Sequence, residues 1–225
     1  MTESEWLACT DPEKMLGFLP HEAGSRKFRL FGVACCRRVW HLLPDELFRA
    51  AVTVAERYAD GLASSQETFA AGEAAQAGWE ASYGAVNSML HGRASEAAMA
   101  YAATVTTALW APARWCTSEA ARRVRQCDVV DKGQEQASQT AFLRCIFGNP
   151  FRPVTIDPSW LSWHDGLLVS MARQMYDSRD FSDMPVLADA LEEAGCRDQD
   201  ILGHCRSGGE HVRGGWVVDL LLGKS

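Results

Sequence analysis

Helix start and stop signals recur from the first residues of the chain to the last, and they constrain its fold more than any other feature. Thr2 with Glu5, and Ser64 with Glu67, have the spacing of capping boxes, in which side chains and backbone N–H groups satisfy each other at a helix start. Further helix starts are indicated by cap residues, namely Thr10 or Asp11 ahead of Pro12, and Asp45, Asp157 and Asp198. No segment alternates apolar and polar residues as a half-buried strand does. These patterns predict an all-α fold.

Apolar side chains recur three and four residues apart, which is the period of one helix face. Helices of this kind are predicted over residues 26–43, 158–176, 185–194 and 210–222. The Ala-rich segment 66–126 predicts two or three more helices, because alanine loses no side-chain entropy in a helix. Breaks are expected there near His91–Gly92 and again over 112–118. The expected architecture is a compact, irregular or orthogonal helical bundle.

A Pro-rich strap, defined as residues 148–158, interrupts this helical pattern. Three prolines fall within it, and proline together with the residue before it disfavours the helical conformation. Because Phe151, Val154 and Ile156 are apolar, the segment is expected to be ordered and to lie across a core. The favoured organisation is a single helical domain over 1–225. The alternative is a division at the strap into an N-terminal part, 1–147, and a C-terminal part, 158–225.

Composition and charge narrow the classes of function. The chain has 225 residues, a net charge of −7 and a pI of about 5.4, so its overall field repels phosphate backbones and disfavours general nucleic-acid binding. No apolar run is long enough for a membrane span, and the acidic start does not resemble a signal peptide. We therefore expect a cytoplasmic protein with no membrane association, in which the eight cysteines stay reduced. The oligomeric state is left open.

Four potential metal ligands lie close together near the end of the chain: Cys196, His204, Cys205 and His211. Thiolate and imidazole are the usual ligands of zinc. However, the spacing C-x7-H-C-x5-H matches no standard zinc finger, and adjacent residues on a helix point about 100° apart. No cofactor is therefore expected, and zinc is the metal that this group would hold if it bound one.

Two further positions carry candidate catalytic chemistry. His164 and Asp165, just after the strap, have the residue types of an oriented general base, although neighbours on a helix face different directions. Cys36 has Arg37 and Arg38 beside it, and such cationic neighbours favour a reactive thiolate. The plainer interpretation of all three is a structural role.

Several segments together resemble one bacterial protein family. They are MTESEWLACTDPEKML at the start, FGVACCRRVWHLLPDE, the strap sequence FGNPFRPVTIDPSWLSW, and the long ending LADALEEAGCRDQDILGHCRSGGEHVRGGWVVDLLLGK. The family consists of uncharacterised proteins that recur in planctomycete-type genomes, and it has no assigned activity. The resemblance implies that both ends of the chain and the strap belong to one unit. It transfers no catalytic residue.

The favoured interpretation is a non-enzymatic helical module that binds another protein, as an adaptor or regulator. It depends on the many caps and core residues and on the lack of a convergent catalytic set. One alternative is a metal-dependent or His/Cys-based enzyme with its site near the strap and the C-terminal helices. A small-ligand sensor with a pocket in the same region is the other.

Overall fold

The structure is a computed structural model that describes residues 1–20, 24–43, 46–85, 121–122, 125 and 131–224. Within these residues the regular structure is helical and contains no strand, which confirms the all-α prediction. The predicted Asp45 cap, the break near His91–Gly92 and the break over 112–118 lie outside the described residues. None of the described helices is both long and apolar enough to cross a membrane.

The helices in chain order are α1 Glu3–Ala8, α2 Pro12–Phe18, α3 Ser25–Arg38, α4 Glu46–Ala59, α5 Ser65–Ala85, α6 Lys132–Phe147, α7 Pro158–Ser162, α8 Leu167–Ser178, α9 Met184–Glu193, α10 Gln199–Arg206 and α11 Trp216–Leu221. The predicted caps are formed where they are described. Thr2 and Glu5 bond each other's backbone, as do Ser64 and Glu67, at 2.7–3.3 Å.

The chain divides into two compact units. The terminal unit contains Met1–Ala8 and Ala141–Ser225, and the central unit contains Cys9–Thr140. The terminal unit thus holds both ends of the chain and the strap. The domain boundaries predicted from the sequence stay predictions.

In the central unit α3 packs against α4, and α4 packs against α5. Two fully buried carboxylates are held there by arginines of α3. Arg37 Nη2 lies 2.8 Å from Glu56 Oε2, and Arg38 Nε lies 2.7 Å from Glu135 Oε2. A buried charge is costly unless it is paired and hydrogen-bonded. The central unit can therefore bury these two carboxylates only because the arginines pair with them.

In the terminal unit, helices α8 to α11 bury one apolar cluster, which includes Leu168, Leu187 and Val217. Val154 and Ile156 of the strap are partly buried against this cluster, which confirms an ordered strap across a core. Phe151 does not take part as predicted, and its side chain is exposed.

Two predicted helices are shorter than expected, and the reason is the same in both cases. The helix expected over 158–176 is interrupted at Trp163–Gly166, where His164 and Asp165 have φ of 44° and 57°. The helix expected over 210–222 begins only at Trp216, because Gly214 before it has φ of +88°. A backbone with positive φ cannot continue a right-handed helix. Residues 207–215 therefore form a loop, referred to below as the 207–215 loop.

Candidate metal centre

Three side chains from separate segments of the terminal unit meet at one point. Cys145 lies near the end of α6, His204 lies in the last turn of α10, and His211 lies in the 207–215 loop. Their candidate ligand atoms all lie within 4.8 Å of one another, and Cys145 Sγ is 3.8 Å from His211 Nδ1. Within the described part of the chain, no other set of three or more His, Cys, Asp or Glu side chains has this spacing. We call the three residues the Cys145 centre.

Local interactions hold α10, which carries His204, in place. The Asp198 carboxylate caps the helix by accepting from Asp200 N at 2.8 Å and Ile201 N at 3.1 Å. On the apolar face of α10, Ile201 and Cys205 are buried in the core. At the end of the helix, Arg206 bonds two acidic side chains of α9. The position of His204 follows from this anchoring.

Two glycines allow the backbone to approach the centre closely. A Cβ on Gly215 would lie 3.3 Å from Cys145 Sγ and 3.2 Å from the carbonyl oxygen of Val212. Gly148 has φ of +65°, and a Cβ there would lie 3.2 Å from Cγ of Trp216. Side chains at these positions would therefore press on the cysteine sulfur or on the indole.

Aromatic rings surround the two histidines. The rings of His204 and His211 meet edge to face with their centroids 4.9 Å apart, and the Trp216 ring lies 5.4 Å from that of His204. Nε2 of each histidine is buried and has no hydrogen-bond partner. Since buried polar atoms are nearly always bonded, two orphaned nitrogens in one place call for an explanation.

Burial controls the protonation of all three side chains. Desolvation, followed by the effect of His211, lowers the pKa of His204 to about 3. Desolvation also lowers the pKa of His211, and this is opposed by a hydrogen bond to the Ser207 backbone. Burial raises the pKa of Cys145 to about 12, against the lowering effect of a bond from the Val212 backbone. At neutral pH both imidazoles are therefore uncharged and the thiol keeps its proton.

These donors fit a tetrahedral transition-metal site after a small contraction. Zn–N and Zn–S bond lengths of about 2.0–2.1 and 2.3 Å place tetrahedral ligand atoms roughly 3.3–3.6 Å apart. The limit of 4.8 Å on the separations of the candidate ligand atoms is wider than this by about 1.2–1.5 Å. A bound metal ion would have to draw the three side chains together by this amount.

A cavity of about 380 Å³ adjoins the centre and is lined by all three of its residues. One wall comes from α1. Trp6 is fully buried there, and its Nε1 donates to the Gly148 carbonyl at 3.1 Å. The cavity thus combines apolar and charged lining residues with a group of potential ligands.

The polar wall of this cavity is already engaged in internal contacts. Asn149 Nδ2 donates to Glu3 Oε1 at 2.7 Å, and Arg152 Nε lies 2.6 Å from the same oxygen. Arg152 Nη1 is also 3.8 Å from a carboxylate oxygen of Asp200. These contacts link α1, the strap and α10 within the terminal unit.

The ligand set that the structure assembles overlaps the predicted one only in its histidines. His204 and His211 are in the group, whereas Cys196 and Cys205 are buried in the apolar cluster and do not belong to it. Cys145 was missed because it lies 66 positions before His211, and no spacing rule links them. This arrangement is a candidate metal site. It therefore gives no support to the expectation that the protein has no cofactor.

The candidate catalytic residues lie elsewhere. His164 and Asp165 are exposed and occupy the left-handed backbone region, outside the lining of the cavity. Cys36 is fully buried in the central unit. The catalytic assignments stay predictions.

The chain matches no protein-family model, no curated protein and no solved structure. Fold and site together describe an all-α protein whose terminal unit carries one cysteine and two histidines beside a cavity.

Proposed function

We propose that the terminal unit binds a transition-metal ion, zinc in the first place, through Cys145, His204 and His211. The observation that carries the proposal is the convergence of these three donors within 4.8 Å, although Cys145 lies 66 positions before His211. The Nε2 atoms of both histidines support the proposal, because they are buried without a hydrogen-bond partner. A bound metal ion would give such nitrogens a partner.

The donor types select the metal. A thiolate with two imidazoles suits zinc and its neighbours cobalt, nickel and copper, whereas magnesium and calcium prefer oxygen ligands. Imidazoles that are neutral at physiological pH can coordinate without first losing a proton. Cys145 loses its proton when the metal binds, as thiolate ligands generally do.

A metal-free Cys–His nucleophile is the competing chemistry for the same residues. A reactive cysteine needs a lowered pKa and partial exposure. Burial instead raises the pKa of Cys145 to about 12. Without a metal ion the sulfur therefore keeps its proton and is a poor nucleophile.

Titration of the metal-free protein with Co²⁺ tests the proposal, because four-coordinate cobalt absorbs visible light and a thiolate ligand adds a charge-transfer band. We expect one equivalent to bind, zinc to displace it, and calcium or magnesium to have no effect. Cys145→Ser should abolish the charge-transfer band, and His204→Ala should weaken Co²⁺ binding by at least about tenfold.

Cys196→Ala is the matched control, since Cys196 is equally buried and belongs to the ligand set predicted from sequence. It should bind Co²⁺ like the unmodified chain. Binding of less than a few tenths of an equivalent, or an unchanged spectrum in Cys145→Ser, would refute the proposal. Loss of the band in Cys196→Ala instead would point to the other set.

The interaction-module interpretation involves no residue of the Cys145 centre. It stays a prediction, to be tested separately by identifying proteins that co-purify with the chain.

A further inference from the structure

The Cys145 centre supplies three protein ligands, one fewer than a tetrahedral ion requires. Structural zinc sites are closed by four protein ligands, whereas catalytic sites use three and keep one position for water or substrate. Cys205 follows His204 in the chain, but its side chain is buried in the apolar cluster and is not in the group. Among the described residues no fourth side chain belongs to the group, so water, a bound molecule or a side chain that moves would supply the fourth ligand.

The cavity indicates where the fourth position lies. Cys145, His204 and His211 all line it, so a metal held between them faces its interior. Its volume of about 380 Å³ is at the lower end of the range for small-molecule sites, roughly 300–1,000 Å³. It is thus large enough for a compact organic molecule as well as for water.

Charge and lining indicate the class of ligand. A divalent ion with one thiolate and two neutral imidazoles keeps a net charge of +1, which favours an anionic donor in the remaining position. Trp216 and Leu7 line the same cavity and keep exposed apolar surface, whereas Trp6 is fully buried behind it. The arginines of the lining are matched by carboxylates, so the metal is the group that attracts an incoming anion, and the organic part of the anion packs on Trp216.

We infer that the fourth coordination position opens into the cavity lined by Trp216, and that it binds the carboxylate of a small organic acid. This inference rests on the proposed metal site. On this inference the centre is not a closed structural site, because a ligand can replace water at the fourth coordination position.

The internal competitor is Glu210, which precedes His211 and also lines the cavity. Its carboxylate is not one of the grouped ligand atoms, but it is the nearest residue in sequence that could close the site by a movement of the 207–215 loop. A test has to separate a carboxylate from outside from this one.

The experiment uses the Co²⁺-loaded full chain, with acetate, benzoate and acetamide as probes. We expect saturable changes in the visible spectrum with acetate and benzoate, and about tenfold tighter binding of benzoate because its ring buries apolar surface. Acetamide has the shape of acetate without its charge and should cause no change. Glu210→Gln should respond to the probes as the unmodified chain does.

Two results would overturn the inference while leaving the metal site intact. In the first, Co²⁺ binds with the cysteine charge-transfer band, but carboxylates leave the spectrum unchanged. In the second, carboxylates act only on Glu210→Gln, which would show that Glu210 closes the site. Failure of Co²⁺ to bind would instead refute the proposed function itself.

Discussion

Gly215→Ala adds a single methyl group at the most crowded point of the Cys145 centre. The new Cβ would lie 3.2 Å from the Val212 carbonyl oxygen and 3.3 Å from Cys145 Sγ. Both distances are shorter than ordinary van der Waals contacts. Neither neighbour is the free end of a flexible side chain, because one belongs to the backbone and the other is a fully buried sulfur.

Two effects of opposite sign decide the result. Replacing glycine by alanine stabilises a fold by about 0.4–1 kcal/mol where the backbone tolerates it, because the unfolded chain loses freedom. Forcing an extra methyl into a packed site costs about 1–3 kcal/mol. Gly215 has an ordinary φ of −55°, so backbone strain adds nothing. We expect a net loss of about 1–2 kcal/mol in the free energy of unfolding.

Gly203→Ala in α10 is the matched control. It lies in the same unit, one residue from His204, and a Cβ there would meet nothing within 4 Å. Only the entropic effect and helix propensity then remain, so this variant should be stabilised by about 0.5–1 kcal/mol. The two alanine variants therefore differ in sign.

Equilibrium urea unfolding of the metal-free proteins, followed by tryptophan fluorescence, measures both changes. Co²⁺ affinity gives a second readout, since displacement of Cys145 Sγ should weaken binding in Gly215→Ala and leave it unchanged in Gly203→Ala. If Gly215→Ala is as stable as Gly203→Ala, the close approach of the 207–215 loop to Cys145 is incorrect.

Three further predictions concern pH, the second glycine and a buried ion pair. Lowering the pH from about 7.5 to about 5 should reduce the free energy of unfolding of the metal-free protein by about 2 kcal/mol through His204, as measured by urea unfolding at a series of pH values. The pKa of His204 is about 3 in the folded protein and 6.5 in the unfolded chain, so at pH 5 only the unfolded chain takes up the proton and is stabilised by it. His204→Gln should remove this part of the loss. Gly148→Ala should lower the free energy of unfolding by more than about 2 kcal/mol in thermal denaturation, since it combines a positive φ with crowding against Trp216. Arg37→Met should destabilise the chain by about 3 kcal/mol, because the Glu56 carboxylate is fully buried, and Arg37→Met/Glu56→Leu should recover part of that loss.

Helix starts could be predicted because they depend on local interactions. The Thr2–Glu5 and Ser64–Glu67 boxes form between residues three apart, whatever the rest of the chain does. The strap was predictable for a similar reason, since proline restricts the backbone at and just before its own position.

Helix ends were predicted less well. The expected helix over 210–222 loses its first part to the 207–215 loop, and the expected helix over 158–176 breaks at His164 and Asp165. Both breaks involve positive φ, and two of the residues concerned are not glycine. Tertiary packing has to stabilise such positions, so the local sequence contains little signal for them.

The sequence by itself determined the helical class, the helix starts and the ordered strap, and it named two of the three residues of the Cys145 centre as candidate ligands. Only the tertiary structure decided that Cys145 completes the centre, that Cys196 and Cys205 are buried in the core instead, and that a cavity adjoins it. The physical reason is distance along the chain. A cap is formed within one helical turn, whereas Cys145 meets His211 across 66 positions because the apolar faces of separate helices pack together.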